Sequence, residues 1–138
     1  MSDGRELLPQ DFTRRMVNWA RWKLGGIATA EISSVYADQT GGGYREAPIP
    51  LLVGEAEDTE AAINAIPERY RYAVQQVWVY LGRPSAWHAR LRGIDYRTWD
   101  GWVKRGHQLL QEDLARRAAI ANMLRIQREE VERAARVS

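Results

Sequence analysis

The chain has 138 residues and a mass of 15.8 kDa, a length suited to one domain with its own core. Its 20 cations and 18 anions nearly cancel to a net charge of +2, and cysteine is absent, which excludes a disulfide framework, a thiolate zinc site and a cysteine nucleophile together. No apolar run approaches the roughly 18 residues of a membrane span and the sequence opens on no secretory h-region, so it predicts a soluble cytoplasmic protein without membrane contact. Eighteen of the 20 cations are arginine, and six tryptophans stand against one phenylalanine. Arginine suits phosphate recognition, although a GC-rich genome produces the same bias.

Residues 1–10 read as a flexible arm. Asp11 is placed to cap a helix running to about Leu24, with Phe12, Met16, Trp19 and Lys23 at helical spacing and Gly25-Gly26 as its stop. Residues 27–37 carry no clean period, and a short helix there is only one option. Residues 38–54, with Gly41-Gly42-Gly43, Pro48 and Pro50, predict a long loop. A short helix then covers 56–65, with Thr59, Ala62, Ile63 and Ile66 on one side. Pro67 opens the next, where Tyr70, Ala73, Val74, Val77, Trp78 and Leu81 follow helical spacing up to Gly82. Pro84-Ser85 restarts a short helix through about Arg92, Gly93 makes a tight turn, and Asp95 is placed to cap the last helix. That helix carries Trp99, Trp102, Val103, Gly106, Leu109 and Leu110 on one stripe, extended by Leu114, Ala118, Ala121 and Leu124. Unbroken to Arg136 it would span about 60 Å, against a radius of gyration of about 14 Å for a compact domain of this size. It must bend, break or project, so 115–138 is either a helical extension or a charged tail beyond a body of residues 11–114.

Charge is unevenly spread. Residues 54–68 hold Glu55, Glu57, Asp58, Glu60 and Glu68 with no cation, whereas residues 69–110 hold eight cations against Asp95 and Asp100. A basic excess confined to one segment is the footprint of a polyanion-binding surface. The acidic block fits a solvated helix N-terminus; Glu55, Glu57 and Asp58 are also candidates for contact with a basic protein partner.

Two helices joined through glycine within that basic segment have the spacing of a helix-turn-helix at about 84–110. Ala89 supplies the small residue where the helices cross, Gly93 the left-handed turn, Ile94 the apolar position after it, and Trp99 and Trp102 the inner face of the second helix. His88 and Arg92 stand where such units carry apolar residues. The run Ala62-Ile63-Asn64-Ala65-Ile66-Pro67-Glu68-Arg69-Tyr70-Arg71 resembles the opening of bacterial sigma-factor region 4, and Arg105-Gly106 with Leu109 keeps that family's order further on. Within this superfamily the chain is similar to the zinc-free bacteriophage Q antitermination proteins. These begin with a Trp-rich helix, matched by Val17-Asn18-Trp19-Ala20-Arg21-Trp22 before a glycine pair, and the resemblance covers about residues 14–114.

The resemblance implies an all-α protein with a sigma region 4-like helix-turn-helix and a long C-terminal helix. It further implies a late-gene transcription antitermination factor of the bacterial host's cytoplasm. Such a protein binds double-stranded DNA near the promoter, engages RNA polymerase, in some cases with sigma factor present, and promotes readthrough of pauses and terminators. It acts without cofactor or metal, as a monomer or weak dimer that can pair on DNA. Alternatives are a sigma-like activator acting only at initiation and a small terminase subunit, a DNA-packaging oligomer.

On the second helix, Tyr96, Arg97, Asp100, Gly101 and Lys104 face away from Trp99, Trp102 and Gly106. Tyr96, Arg97, Asp100 and Gly101 are the candidate base contacts. Arg97 suits guanine, Asp100 suits cytosine N4, and Gly101 permits either close approach to DNA or crowding beside the tryptophans. Arg83, Arg90, Thr98, Lys104 and Arg105 are the candidate phosphate contacts. Trp78, Trp87, Trp99 and Trp102 are expected in the core. Trp19 and Trp22, three apart on one helix, cannot share a narrow face, so one of them is a candidate partner contact. No enzyme is expected: His88 and His107 lie 19 residues apart without a ligand-spaced carboxylate, Gly41-Gly42-Gly43 lacks the lysine of a P-loop, and Glu57/Asp58 and Glu129/Glu130 sit in charged helical stretches.

Overall fold

The computed structural model describes residues 9–25 and 50–137. Among them the chain is all-helical, with no strand: α1 (Gln10–Lys23), α2 (Val53–Asn64), α3 (Glu68–Val79), α4 (Ser85–Arg92) and α5 (Tyr96–Val137). None of the described helices is long and apolar enough to cross a membrane. The predicted arm up to Leu8, the optional helix at 27–37 and residues 38–49 of the predicted loop lie outside the described residues.

Helix α1 starts earlier than the sequence predicts. Pro9, with φ −57° and ψ 144°, is the cap, and its carbonyl accepts the Thr13 N–H at 2.9 Å. Asp11 therefore lies inside the first turn, where the helix dipole favours a carboxylate, and pairs with Arg14 at 3.2 Å. Phe12, Met16 and Trp19 form the inner face as expected, Lys23 points outward, and Gly25 takes φ 82° just beyond the helix. The predicted loop also ends early, because α2 begins at Val53 and includes Gly54. Asn18 supplies the reason: its Nδ2 donates to the Leu52 carbonyl at 2.8 Å and its Oδ1 accepts the Leu52 N–H at 2.9 Å. That two-bond clamp fixes the entry to α2 against α1.

Pro67 caps α3, accepting the Arg71 N–H at 2.9 Å, and the helix stops at Val79, three residues before Gly82. Gly82, at φ 82°, belongs instead to the turn leading into α4. Helices α1, α2, α3 and α5 pack around one core, and α4 packs on α5. The core draws Phe12, Met16 and Trp19 from α1, Ile63 from α2, Val74, Val77 and Trp78 from α3, and Trp99, Val103 and Leu110 from α5. Each large aliphatic side chain buried in this way contributes about 1.5–3 kcal/mol.

Two features of α5 set its docking. A Cβ on Gly106 would lie 2.7 Å from Val74 Cγ2 and 2.9 Å from the Tyr70 carbonyl oxygen, so glycine lets α5 cross α3 at close range. One residue on, buried His107 accepts the Trp78 indole N–H on Nε2 at 2.9 Å and meets Phe12 edge-on at 5.8 Å. The helix runs unbroken for 42 residues, about 63 Å at 1.5 Å per residue. Its packed part ends at Leu114, and every residue from Ala115 to Val137 is exposed. The extension is therefore helical and projects from the body.

Candidate nucleic-acid interface

The α4–α5 pair is built by local chemistry at each of its joints. Pro84, extended at ψ 159°, precedes α4. Gly93 ends that helix in the left-handed region at φ 76°, with its own N–H on the Arg90 carbonyl at 3.2 Å and the Ile94 N–H on the Ala89 carbonyl at 3.0 Å. This pair of bonds is the Schellman closure, in which the left-handed position favours glycine. Asp95 then caps α5 as the sequence predicts, its Oδ1 accepting the Arg97 N–H at 2.8 Å. Ala89 is 2% exposed and Trp99 fully buried, while Trp102 and Ile94 are half-buried against the core.

The two residues that depart from the apolar pattern are accommodated by aromatic contacts. His88 is buried and stacks on Trp99, with ring centroids 4.8 Å apart and planes 9° from parallel. Arg92 lies 4.6 Å from the Tyr72 ring centroid and 5.9 Å from that of Trp102, and its guanidinium pairs with Glu68 at 3.3 Å. It thereby ties the end of α4 to the start of α3. Neither contact is visible in a periodicity pattern, because both depend on rings brought in from other helices.

On α5, Arg97, Gly101, Lys104 and Gln108 recur at four, three and four residues and form one exposed line opposite the buried face. Thr98 and Arg105 flank it, also exposed. Gly101 has no atom within 4 Å of a Cβ position, so crowding beside the tryptophans does not explain it. Arg97 extends over the Tyr96 ring at 5.6 Å, and Tyr96 itself is 40% exposed. Asp100 makes a contact that the sequence does not predict. It sits on the flank facing α4 and accepts a hydrogen bond from Ser85 Oγ, which locks the start of α4 to the first turns of α5. Asp100 itself remains exposed beside the outward line.

Ion pairing takes up some of the described cations and leaves others, among them Arg69, Arg128, Arg133 and Arg136 elsewhere on the chain, exposed. Among the described residues Arg14, Lys23, Arg92, Arg116, Arg117 and Arg125 are in ion pairs. Arg83, Arg90, Arg97, Lys104 and Arg105 are exposed and in none of them. Arg83 instead covers the Trp87 ring at 5.1 Å, beside Tyr80. The unit from 83 to 105 therefore carries these five exposed cations beside two exposed carboxylates, Asp95 and Asp100.

Trp19, one candidate partner contact, is fully buried, with its Nε1 donating to Glu60 Oε2 at 2.9 Å. Packing of α1 on α2 takes it out of reach of any partner, and Lys23 joins the same carboxylate at 3.2 Å. Trp22 is half-buried at the core edge, Glu55 is half-buried, and Glu57 and Asp58 are exposed on α2. The clamp of Asn18, the ring contacts of Arg92 and the Ser85–Asp100 bond escaped the sequence reading. So did a buried acid, Asp113, which pairs with Arg116 and Arg117. Only Asp113 left a local signal, in the arginines three and four residues after it. Comparisons with protein-family models, with curated proteins and with solved structures found no match to this chain.

Proposed function

We propose that the α4–α5 unit binds duplex DNA, with Arg97 and Gly101 entering the major groove and Arg83, Arg90, Thr98, Lys104 and Arg105 meeting phosphates on either side. On the resemblance to the zinc-free phage Q proteins, the protein is a late-gene antitermination factor that loads beside the promoter and modifies RNA polymerase. The observation that supports this reading is the set of five exposed cations outside any ion pair around a glycine-closed helix pair. An α-helix fits the major groove of B-DNA, and an arginine fork can read guanine there. Gly101, open on its outer side, permits the backbone to approach the base edges.

In vitro transcription from a phage late promoter followed by an intrinsic terminator tests the proposal. Readthrough confined to templates with the promoter-proximal element is the expected result. Readthrough that ignores the element rejects the DNA-loading step, and stimulation of initiation alone favours a sigma-like activator. A closed ring of many copies in solution would favour the packaging reading.

A further inference from the structure

Trp78 and His107 constrain each other's chemistry. An indole nitrogen can only donate a hydrogen bond, and Trp78 Nε1 donates to His107 Nε2 at 2.9 Å. Nε2 must then carry a lone pair, so His107 is the neutral imidazole with its own proton on Nδ1. Both side chains are buried, at 0% and 2% exposure. The ring sits where three helices meet. Phe12 of α1 approaches it edge-on at 5.8 Å and Trp78 of α3 at 6.2 Å, and Gly106 beside it is the point where α5 crosses α3.

The charged side chains of the surrounding elements lie around this crossing as follows. Along α1, Asp11 pairs with Arg14 at 3.2 Å and Arg15 donates to Thr59 at 2.9 Å. Half-buried Glu55 of α2 lines the same open groove as Arg15, Phe12 and Gln111, one carboxylate beside one guanidinium. On α3, Arg69 is exposed, Glu68 pairs with Arg92 and Arg71 donates to the Asn64 carbonyl. From Tyr72 to Val79 that helix holds no charged side chain. On α5, Lys104, Arg105 and Glu112 are exposed and Asp113 is held by Arg116 and Arg117. The imidazole itself is walled by an indole and a phenyl ring, and burial of this kind disfavours its charged form.

We propose that His107 is a pH-sensitive latch on α5: neutral, it accepts the Trp78 N–H and seats α5 on α3 and α1; protonated, it loses that bond and loosens the crossing. An added proton would occupy the lone pair that Trp78 uses, and two N–H donors would then point at each other in the core. The folded chain therefore resists a proton that the unfolded chain accepts below about pH 6.5. Because the unfolded state then binds more protons, the stability is complete above that pH and falls as pH drops through it. The window of about pH 7 to 5 is separate from that of Asp113, whose carboxyl is held below 3.8. Helix α5 carries the exposed line from Arg97 to Lys104, so mild acid acts on the seating of that surface.

Urea denaturation of the full chain at about pH 7 and about pH 5 tests the proposal against His107→Gln, whose side-chain oxygen can accept the Trp78 N–H without titrating. His88, the carboxylates and every other group titrate in both chains and cancel from the comparison. Between the two pH values the unfolding constant of the parent should rise about three- to twenty-five-fold more than that of the variant. The upper figure is that of an imidazole that takes no proton in the fold and titrates near its ordinary value of about 6.5 outside it. A difference below about threefold, or one of opposite sign, would overturn the proposal. Imidazole nitrogen NMR of the parent gives a second reading that needs no variant. His107 should bear its proton on Nδ1 at neutral pH and stay neutral in the folded chain as the pH is lowered to about 5.5, a full unit below its ordinary value. A proton on Nε2, or on both nitrogens of the folded chain, would equally refute the latch.

Discussion

His88 lies flat on Trp99 across the α4–α5 turn, with ring centroids 4.8 Å apart. The stack fills a position at which the sequence spacing predicts an apolar residue. Tyr72 closes the other side, meeting Trp99 edge-on at 5.9 Å. The unit is therefore held to α3 by flat rings, with Arg92 over Tyr72 and Trp102 sealing the rim. An exposed charged face rests on an aromatic interior.

That interior contains two buried tryptophans in different hydrogen-bonding situations. Trp78 donates its Nε1 proton to His107 at 2.9 Å, whereas Trp99 Nε1 is buried without a hydrogen-bond partner. Replacing each with phenylalanine should separate packing from hydrogen bonding. Trp78→Phe removes the donor from a buried imidazole and should cost about 1–3 kcal/mol more than Trp99→Phe. Chemical denaturation of the two variants measures the difference, and equal losses would contradict it.

The two glycines of α5 should respond in opposite directions. At Gly106 a methyl group meets Val74 and the Tyr70 carbonyl, so Gly106→Ala should destabilise by about 1–3 kcal/mol despite its better helix propensity. At Gly101 the space is open, and Gly101→Ala should stabilise by up to about 1 kcal/mol. If the backbone at 101 approaches base edges as proposed, the same substitution weakens specific DNA binding while raising the melting temperature. Thermal melts and a DNA titration on one sample would show both effects.

The cations should divide by role. Arg97→Ala should abolish preference for the specific site with a modest loss of non-specific affinity. Lys104→Ala and Arg105→Ala should weaken all sequences alike and each reduce the slope of log affinity against log salt by about 0.9. Fluorescence anisotropy at several salt concentrations distinguishes the two patterns. Equal weakening of specific and random DNA by Arg97→Ala would remove it from the groove.

Acid should loosen the junction between body and projection. Burial pushes the Asp113 carboxyl up, but the hydrogen bonds and charges of Arg117 and Arg116 outweigh it and hold it below its ordinary value of 3.8. Because the folded value is depressed, the stabilisation is complete above the ordinary value and is lost as pH falls through it toward the lower folded one. Asp113→Asn should lower stability at neutral pH by roughly 1–2 kcal/mol. The gap between variant and parent should close as pH falls below 3.8. Urea denaturation across that range measures it.

The helices and their joints were legible because their determinants are local. Spacing of apolar residues, Pro67, Pro84, Gly93 and the Asp95 cap each act within a few residues, and the described helices follow them closely. The turn geometry at Gly93 and the outward line of Arg97, Gly101 and Lys104 are consequences of the same short-range rules. Where local rules competed, position was misjudged: Pro9 displaced Asp11 as the cap of α1, and the Asn18 clamp began α2 earlier than glycine and proline signals implied. Tertiary structure alone decided which polar groups remain available. Glu60 took up Trp19 from 41 residues away, Ser85 engaged Asp100 from 15 away, and Trp78 met His107 across 29. Such contacts depend on how whole helices cross, and that is set by the summed fit of faces that no short window contains. The sequence by itself determined the all-helical character, the five described helical segments and the basic excess of residues 69–110. Packing determined which side chains of those helices are taken up in the core and that α5 runs on, exposed, past the point where the core ends.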